Sequence, residues 1–296
     1  MTRCGVAAVV GAPNAGKSTL VNALVGQKVA ITSPKPQTTR ARLLGIALDG
    51  KAQVVLVDTP GIFAPKRRLD RAMVKAAWGG AEDADLVLFV VDARAGVKPE
   101  VEAVATGLAP RREPRWLVLN KVDVADKGKL LAHAERLHGL LSFERTYMVS
   151  AATGDGLADL KSALAEAVPE GPWLFPADEV SDAPEWLMAA EITREQLYAQ
   201  LHAELPYASA VETEAFSERP DGSAEIRQQI LVARPTQRAI VLGKGGARIK
   251  ALGQAARAAI AEALGRPVHL YLHVKVDERW DERRDIYEGM GLDWSD

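Results

Sequence analysis

Short unbroken apolar runs recur through the first half of the chain, at residues 6–10, 54–57, 116–119 and 147–149, with helically spaced apolar positions between them. Periodicity alone does not separate a buried strand from a buried helix in runs this short. Their valine-rich composition and the interposed helical patterns favour strands of a parallel sheet with helices on both faces. An α/β fold with a mostly parallel sheet is therefore expected over residues 1–170. Beyond it the pattern changes. A helix is expected at 185–201 and strands at 208–216, 225–233 and 267–276, and the segment around 240 reads as a strand or short helix. From there a glycine turn leads into a helix that runs to about residue 264. Residues 171–182 carry prolines without clear periodicity and read as a linker, so residues 183–296 are expected to form a second domain with a C-terminal tail. A length of 296 residues allows each domain a core of its own. No repeats or low-complexity tracts interrupt this arrangement.

Each apolar run of the first half ends in a polar segment. These are Gly11-Ala12-Pro13-Asn14-Ala15-Gly16-Lys17-Ser18, Asp58-Thr59-Pro60-Gly61, Asn120-Lys121-Val122-Asp123 and Ser150-Ala151. An open α/β sheet places its ligand crevice at the carboxyl ends of its strands, so four distant segments point to one edge. The first fits G-x-x-x-x-G-K-[ST], follows a strand and opens the helical stretch 18–25, as a phosphate loop must. Backbone N–H groups from Gly11 through Thr19 can ring phosphates there, helped by the unsatisfied donors of a helix N-terminus. Alone, such a loop also suits an ordinary glycine-rich turn, and Asn-Lys-Val-Asp alone suits a surface turn. Their common register at strand ends argues against both.

The chemistry of a GTP site assigns the roles. Lys17 neutralises the β- and γ-phosphates, the Ser18 hydroxyl ligates Mg²⁺, and Asp58 holds the ion through its water shell. Gly61 offers its N–H to the γ-phosphate. Asp123 presents two acceptors to the N1–H and exocyclic amine of guanine; adenine has no such donor pair, and a buried carboxylate left unpaired rejects it. Asn120, Lys121, Ser150 and Ala151 complete the base side. GTP, GDP and Mg²⁺ are the expected ligands.

Charge adds a second ligand class. The net charge is only −2, but residues 227–275 carry nine basic side chains against the single acid Glu262. The basic residues are Arg227, Arg234, Arg238, Lys244, Arg248, Lys250, Arg257, Arg266 and Lys275. A basic patch in a nearly neutral chain points to a polyanion. The last 21 residues return to acid. Cys4 is the only cysteine, which excludes disulfides and cysteine-based zinc sites and suits a reducing compartment. No secretory leader pattern and no apolar run near eighteen residues is present. His269 and His273 share one face of a strand, where sheet packing is favoured over metal binding. Trp280, Tyr287 and Trp294, set in the acidic tail, are expected to pack or cap rather than stack on bases.

In order and spacing the four segments resemble a translation-factor-class P-loop GTPase, and Gln37-Thr38-Thr39-Arg40 resembles the switch I signature of the Era family. The resemblance implies that Thr39 joins the Mg²⁺ shell only when a γ-phosphate is present, with Thr38 the alternative ligand. A plain polar loop also suits Ser33-Pro34-Lys35-Pro36. Ile62 stands where Ras-like GTPases carry the glutamine that orients water. Relatives with an apolar residue there use other means, in some cases a K⁺ ion held by an asparagine at the place of Asn14. Tolerance of unusual dihedrals is the competing reason for Asn14.

The segment Ile240 to Lys250, with Gly243-Lys244-Gly245-Gly246 at its centre, resembles the G-x-x-G element of a KH domain. In that module glycines let main chain approach phosphate, so Gly243, Lys244, Gly245, Gly246, Arg248 and Lys250 are the implied RNA contacts. The order of elements around it resembles the α+β type II KH domain that follows the GTPase domain in the Era family. The resemblance covers nearly the whole chain. It implies a bacterial, cytoplasmic GTPase, monomeric and at most peripheral to the membrane's cytoplasmic face. Its implied partner is small-subunit ribosomal RNA near the 3′ end rather than DNA, with a role in processing of that RNA and assembly of the small subunit. The alternative is an RNA-binding assembly chaperone for which GTP is mainly a structural ligand.

Overall fold

The computed structural model describes all residues other than 34, 36, 37, 41, 83, 202–204, 295 and 296. Gln37, Pro34 and Pro36 of the expected switch segment thus lie outside the described residues. The chain divides into two compact units, Met1–Asp182 and Ala183–Asp296.

The first unit runs β1 (Arg3–Val10), α1 (Lys17–Val25), β2 (Leu43–Asp49), β3 (Ala52–Asp58), α2 (Arg68–Glu82), β4 (Leu86–Asp92), α3 (Pro99–Leu108), β5 (Arg115–Asn120), α4 (Lys127–Leu140), β6 (Arg145–Met148) and α5 (Leu157–Ala167). Its six strands lie in the order β2-β3-β1-β4-β5-β6, parallel throughout except for the antiparallel β2–β3 hairpin. Side chains alternate across a strand, and both faces of this sheet are covered, which is why the runs are apolar at every position. Ala7 and Val9 of β1 pack with Leu20, Leu24 and Leu160 on one face. Ala8 and Val10 pack with Ala77, Val104 and Leu137 on the other. β4 divides in the same way, Leu88 and Val90 against Phe89 and Val91.

Residues 171–182, expected as a linker, lie with the first unit. Gln53, buried on β3, donates to the Phe175 carbonyl at 2.8 Å and accepts from the Leu174 and Phe175 amides at 2.9 and 3.0 Å. The Ile46 amide on the edge strand β2 donates to the Val180 carbonyl at 2.9 Å. One buried amide and one strand edge therefore satisfy backbone groups that have no pattern of their own.

The second unit runs α6 (Glu185–Gln200), β7 (Ser209–Glu218), β8 (Ala224–Val232), α7 (Pro235–Leu242), α8 (Ala247–Leu264), β9 (Val268–Val276) and α9 (Arg284–Gly289). β8 is central, antiparallel to β7 and parallel to β9. Leu197, Ile230, Val232, Val241, Leu252 and Val274 form a core drawn from α6, β8, α7, α8 and β9. The segment around 240 is helical: Pro235 at the first helical position and the Gln237 side chain, which accepts from the Arg234 amide at 2.9 Å, set its start. His269 is half-buried and His273 is exposed, the latter facing Glu214 at 3.5 Å, and no metal-binding cluster occurs among the described residues. Trp280 and Tyr287 are buried, and Tyr287 meets Trp294 edge to face at 4.8 Å. No helix among the described residues is long and apolar enough to cross a membrane.

Candidate functional site

Parallel pairing brings the polar segments to one edge of the first sheet. Val9 of β1 pairs with Asp58 of β3, and Asp92 of β4 pairs with Asn120 of β5, so Asp58, Gly11, Asp92 and Asn120 leave the same edge of the sheet in that strand order. Ser150 and Ala151 follow β6, with the Val149 amide donating to the Leu119 carbonyl at 2.8 Å. The phosphate loop itself ends in Gly16, at φ 89°, which caps α1 without any side-chain hydrogen bond. A Cβ there would lie 2.4 Å from the Asn120 amide nitrogen, so only glycine fits both the dihedral and the space.

Inside that loop sits a buried ammonium. Lys17 Nζ donates to the Gly11 and Ala12 carbonyls, at 3.3 and 3.1 Å, and burial pushes its pKa down to about 8, the charges of Asp58 and Lys121 acting in opposite directions. Beside it, three oxygen groups converge. Ser18 Oγ lies 2.7 Å from both Thr39 Oγ1 and Asp58 Oδ2, and Thr39 Oγ1 lies 3.1 Å from the same carboxylate oxygen. Burial raises the Asp58 carboxyl above its ordinary range, opposed by the Ser18 hydroxyl, the Lys17 charge and Thr39. Asp58 Oδ1 is buried without a hydrogen-bond partner among the described residues.

This donor set has the chemistry of a hard-cation site. Two hydroxyls and a carboxylate, all oxygen, suit Mg²⁺, and a desolvated ammonium next to them suits a phosphate oxygen. Thr38 points elsewhere, its hydroxyl donating to the Lys35 carbonyl at 2.8 Å. A cavity of about 50 Å³ joins the phosphate loop and Thr19 to the Thr38–Thr39 pair and Gly61. After Gly61 the chain turns inward: the Ile62 amide donates to the Gly11 carbonyl at 3.1 Å and its side chain is buried with Ala8, Val10 and Ala77.

On the base side Asn120 acts as a staple between three segments. Its amide nitrogen donates to the Ala15 and Gly16 carbonyls at 3.1 and 3.4 Å, and its Oδ1 accepts from the Lys121 and Ala151 amides at 2.8 and 3.0 Å. Ser150 Oγ accepts the Thr153 amide at 3.2 Å and so shapes its own turn. Asp123 stays exposed, its carboxylate open to a ligand. Asn14 and Lys121, at φ 63° and 66°, are the non-glycine residues with positive φ among those described. Backbone strain in both therefore collects at this site. Lys121 Nζ reaches the Asn14 carbonyl and Asp92 Oδ2, each at 2.6 Å.

The glycine turn of the second unit is built differently. Gly243 ends α7 at φ 70°, Lys244–Gly246 make one 3₁₀ turn, and Gly246, at φ 77°, caps α8 without a side-chain bond. Lys244, Gly245, Arg248 and Lys250 are exposed, and nothing lies within 4 Å of a Cβ built on Gly245 or Gly246. Arg248 is partly structural, since its Nη1 donates to the Ile240 carbonyl at 2.7 Å. Two of the nine basic residues are paired with acids that lie before residue 227: Arg227 with Glu225, and Arg266 with Glu185 and Glu218. The charge left for a partner centres on the turn and α8.

Sequence reasoning alone missed the staple made by Asn120, the bridge from Lys121 to Asp92 and the carbonyl contact of Arg248. The ends of β4 and β5 pair through the sheet, and no local signal announces it.

Residues 6–121 match the family model described as 50S ribosome-binding GTPase, and residues 204–281 match the KH domain. GTPase Era of Erythrobacter litoralis is 62% identical over 298 residues, covering 99% of this chain and 98% of that protein. GTPase Era of Afipia carboxidovorans is 58% identical, with 99% and 95% covered. Among solved structures, a variant of Aquifex aeolicus Era bound to GDP·AlF4⁻ superposes with a TM-score of 0.92 at 36% identity, covering 98% of this chain and 99% of the other. Era in complex with MgGDPNP and nucleotides 1506–1542 of 16S ribosomal RNA gives 0.91 at 36% identity, with the same coverage.

Proposed function

This chain belongs to the Era family of GTPases, and from that premise we propose that it is a GTP-hydrolysing switch acting on the 3′ end of small-subunit ribosomal RNA during assembly of the small subunit. The observation that carries the reading is the meeting of Ser18, Thr39 and Asp58 around one point beside the buried Lys17. Mg²⁺, when bound, neutralises charge on the β- and γ-phosphates of GTP. Ser18 and Thr39 would ligate it directly and Asp58 would hold its water shell. Lys17 stabilises the phosphate oxygens as water attacks the γ-phosphorus, the bond to the β-phosphate oxygen breaks, and GDP and inorganic phosphate leave. Thr39 rather than Thr38 is the switch threonine on this reading, because only its hydroxyl faces the other oxygen donors. Asp123 selects guanine, and RNA contact falls on Gly243, Lys244, Gly245, Gly246, Arg248 and Lys250; the place of that turn within the segment matching the KH domain and the exposure of Lys244 and Lys250 support this reading. The compartment of action is the cytoplasm.

A second reading is favoured by Ile62. With that side chain buried and no glutamine to orient water, GTP would serve mainly as a structural ligand for an RNA-binding assembly chaperone. A K⁺ ion near Asn14 would supply the missing charge; φ 63° explains the asparagine equally well by loop geometry. Phosphate release measured with and without the 16S 3′ segment separates the two functions. Stimulation by RNA supports the switch, and indifference supports the chaperone. Exchange of Na⁺ for K⁺ at fixed ionic strength raises the rate if Asn14 holds the cation, and equal rates leave only the geometric reason for it.

A further inference from the structure

Asp92, the last residue of β4, belongs to none of the four nucleotide segments, yet it ties two of them together. Its Oδ1 accepts the Arg94 and Ala95 amides at 2.9 and 3.0 Å, closing the turn that leads to α3. Its Oδ2 accepts from Lys121 Nζ at 2.6 Å, and the same ammonium donates to the Asn14 carbonyl at 2.6 Å. The two oxygens therefore have separate duties.

The sheet fixes the distance across which this happens. Asp92 pairs with Asn120 across β4 and β5, and the Ala93 amide donates to the Asn120 carbonyl at 2.9 Å. Lys121 starts from a left-handed backbone conformation and its stem passes over the phosphate loop, with Cε 3.5 Å from a Cβ built on Gly16. A lysine side chain left to itself is a flexible stem with three rotatable donors. Exposed ion pairs restrain such a chain weakly. Here the side chains are only 33% and 21% exposed, and the ammonium is held at two points by short charge-assisted bonds.

We propose that Asp92 is a positioning residue for the guanine nucleotide. It holds Lys121 against the phosphate loop, keeps the base-side and phosphate-side loops in register, and so sets how long a nucleotide stays bound rather than how fast it is hydrolysed. The inference rests on the reading of this edge as a guanine-nucleotide site.

The two duties of Asp92 can be separated by substitution. Asp92→Asn keeps an oxygen for the Arg94 and Ala95 amides but turns an NH₂ toward Lys121, where donor would meet donor. In the full chain, release of fluorescent GDP and of a fluorescent non-hydrolysable GTP analogue is followed by stopped flow, with kcat at saturating GTP and the melting temperature measured alongside. Asp92→Asn should release both nucleotides about tenfold faster, with kcat within about twofold of the parent and an unchanged melting temperature. In a Lys121→Met background the same substitution should add nothing. Release at the parent rate, or an undiminished effect in the Lys121→Met background, would overturn the proposal. A parent chain that binds no guanine nucleotide would overturn the site reading and this inference with it.

Discussion

The phosphate loop and the G-x-x-G turn use one local device in opposite settings. Each places a left-handed glycine at a helix start, Gly16 at φ 89° before α1 and Gly246 at φ 77° before α8, and neither helix has a side-chain cap. Both starts thus keep N–H donors for an anion. What differs is enclosure. Gly16 has Asn120 pressed against it and a buried lysine next in line, whereas Gly245 and Gly246 have open space around them and an exposed lysine beside them. An enclosed loop, with walls from several strands, can select one small ligand by shape and by atom. An open one can only clamp a backbone, which suits a polymer whose ends extend past the protein.

The largest expected effect falls on the enclosed loop. Lys17→Ala removes a desolvated cation that nothing else replaces, so GTP affinity should fall by at least about a hundredfold in a fluorescent-nucleotide titration. RNA affinity should be retained, because the second unit has its own core. Near-normal nucleotide binding would mean that Lys17 does not hold the phosphates.

A matched pair of substitutions sharpens it further. Alanine at either cap glycine meets left-handed strain on the order of 1 kcal/mol. At Gly16 it also collides with the Asn120 amide, which must move and loosen three loops at once. Gly16→Ala should therefore lose nucleotide affinity about tenfold or more, while Gly246→Ala, with open space around the added Cβ, should weaken RNA binding by only about fivefold, as the strained turn relaxes before binding and the Cβ holds the RNA backbone off. Equal losses in the two titrations would mean that enclosure does not distinguish the loops. The smallest effect is expected at Lys250. Lys250→Ala should flatten the salt dependence of RNA binding by about one charge and leave nucleotide binding alone.

Much of this was legible because local pattern and topology agree. Asp58 and Asn120 end short apolar runs, and parallel pairing carries such ends to one edge without further information. The G-x-x-G turn was legible as one contiguous segment. Long-range pairing was not. Asn120 as a staple, Asp92 as an anchor and Gln53 as a clamp on residues 174 and 175 each depend on groups more than 25 residues away in sequence. The charge free for a partner is smaller than the count over 227–275 for a related reason, since Glu185 and Glu218 reach in from other elements to pair with Arg266, and Glu225 takes up Arg227 within β8. Arg248, an implied RNA contact, also caps α7 through the Ile240 carbonyl. A loss on Arg248→Ala would therefore mix charge with local structure, which makes Lys250 the cleaner probe.

That one chain carries two separable anion loops, one for GTP and one for RNA, is open to direct test. The most direct measurement uses Lys244→Asp combined with Gly245→Asp, which sets two carboxylates on the exposed turn where the RNA backbone would run. Binding of the 16S 3′ segment is titrated at several salt concentrations, and phosphate release is followed in the same preparations without RNA. Loss of most RNA affinity is expected, with GTP binding and intrinsic hydrolysis unchanged. RNA binding equal to that of the parent chain would contradict the assignment of this turn to RNA.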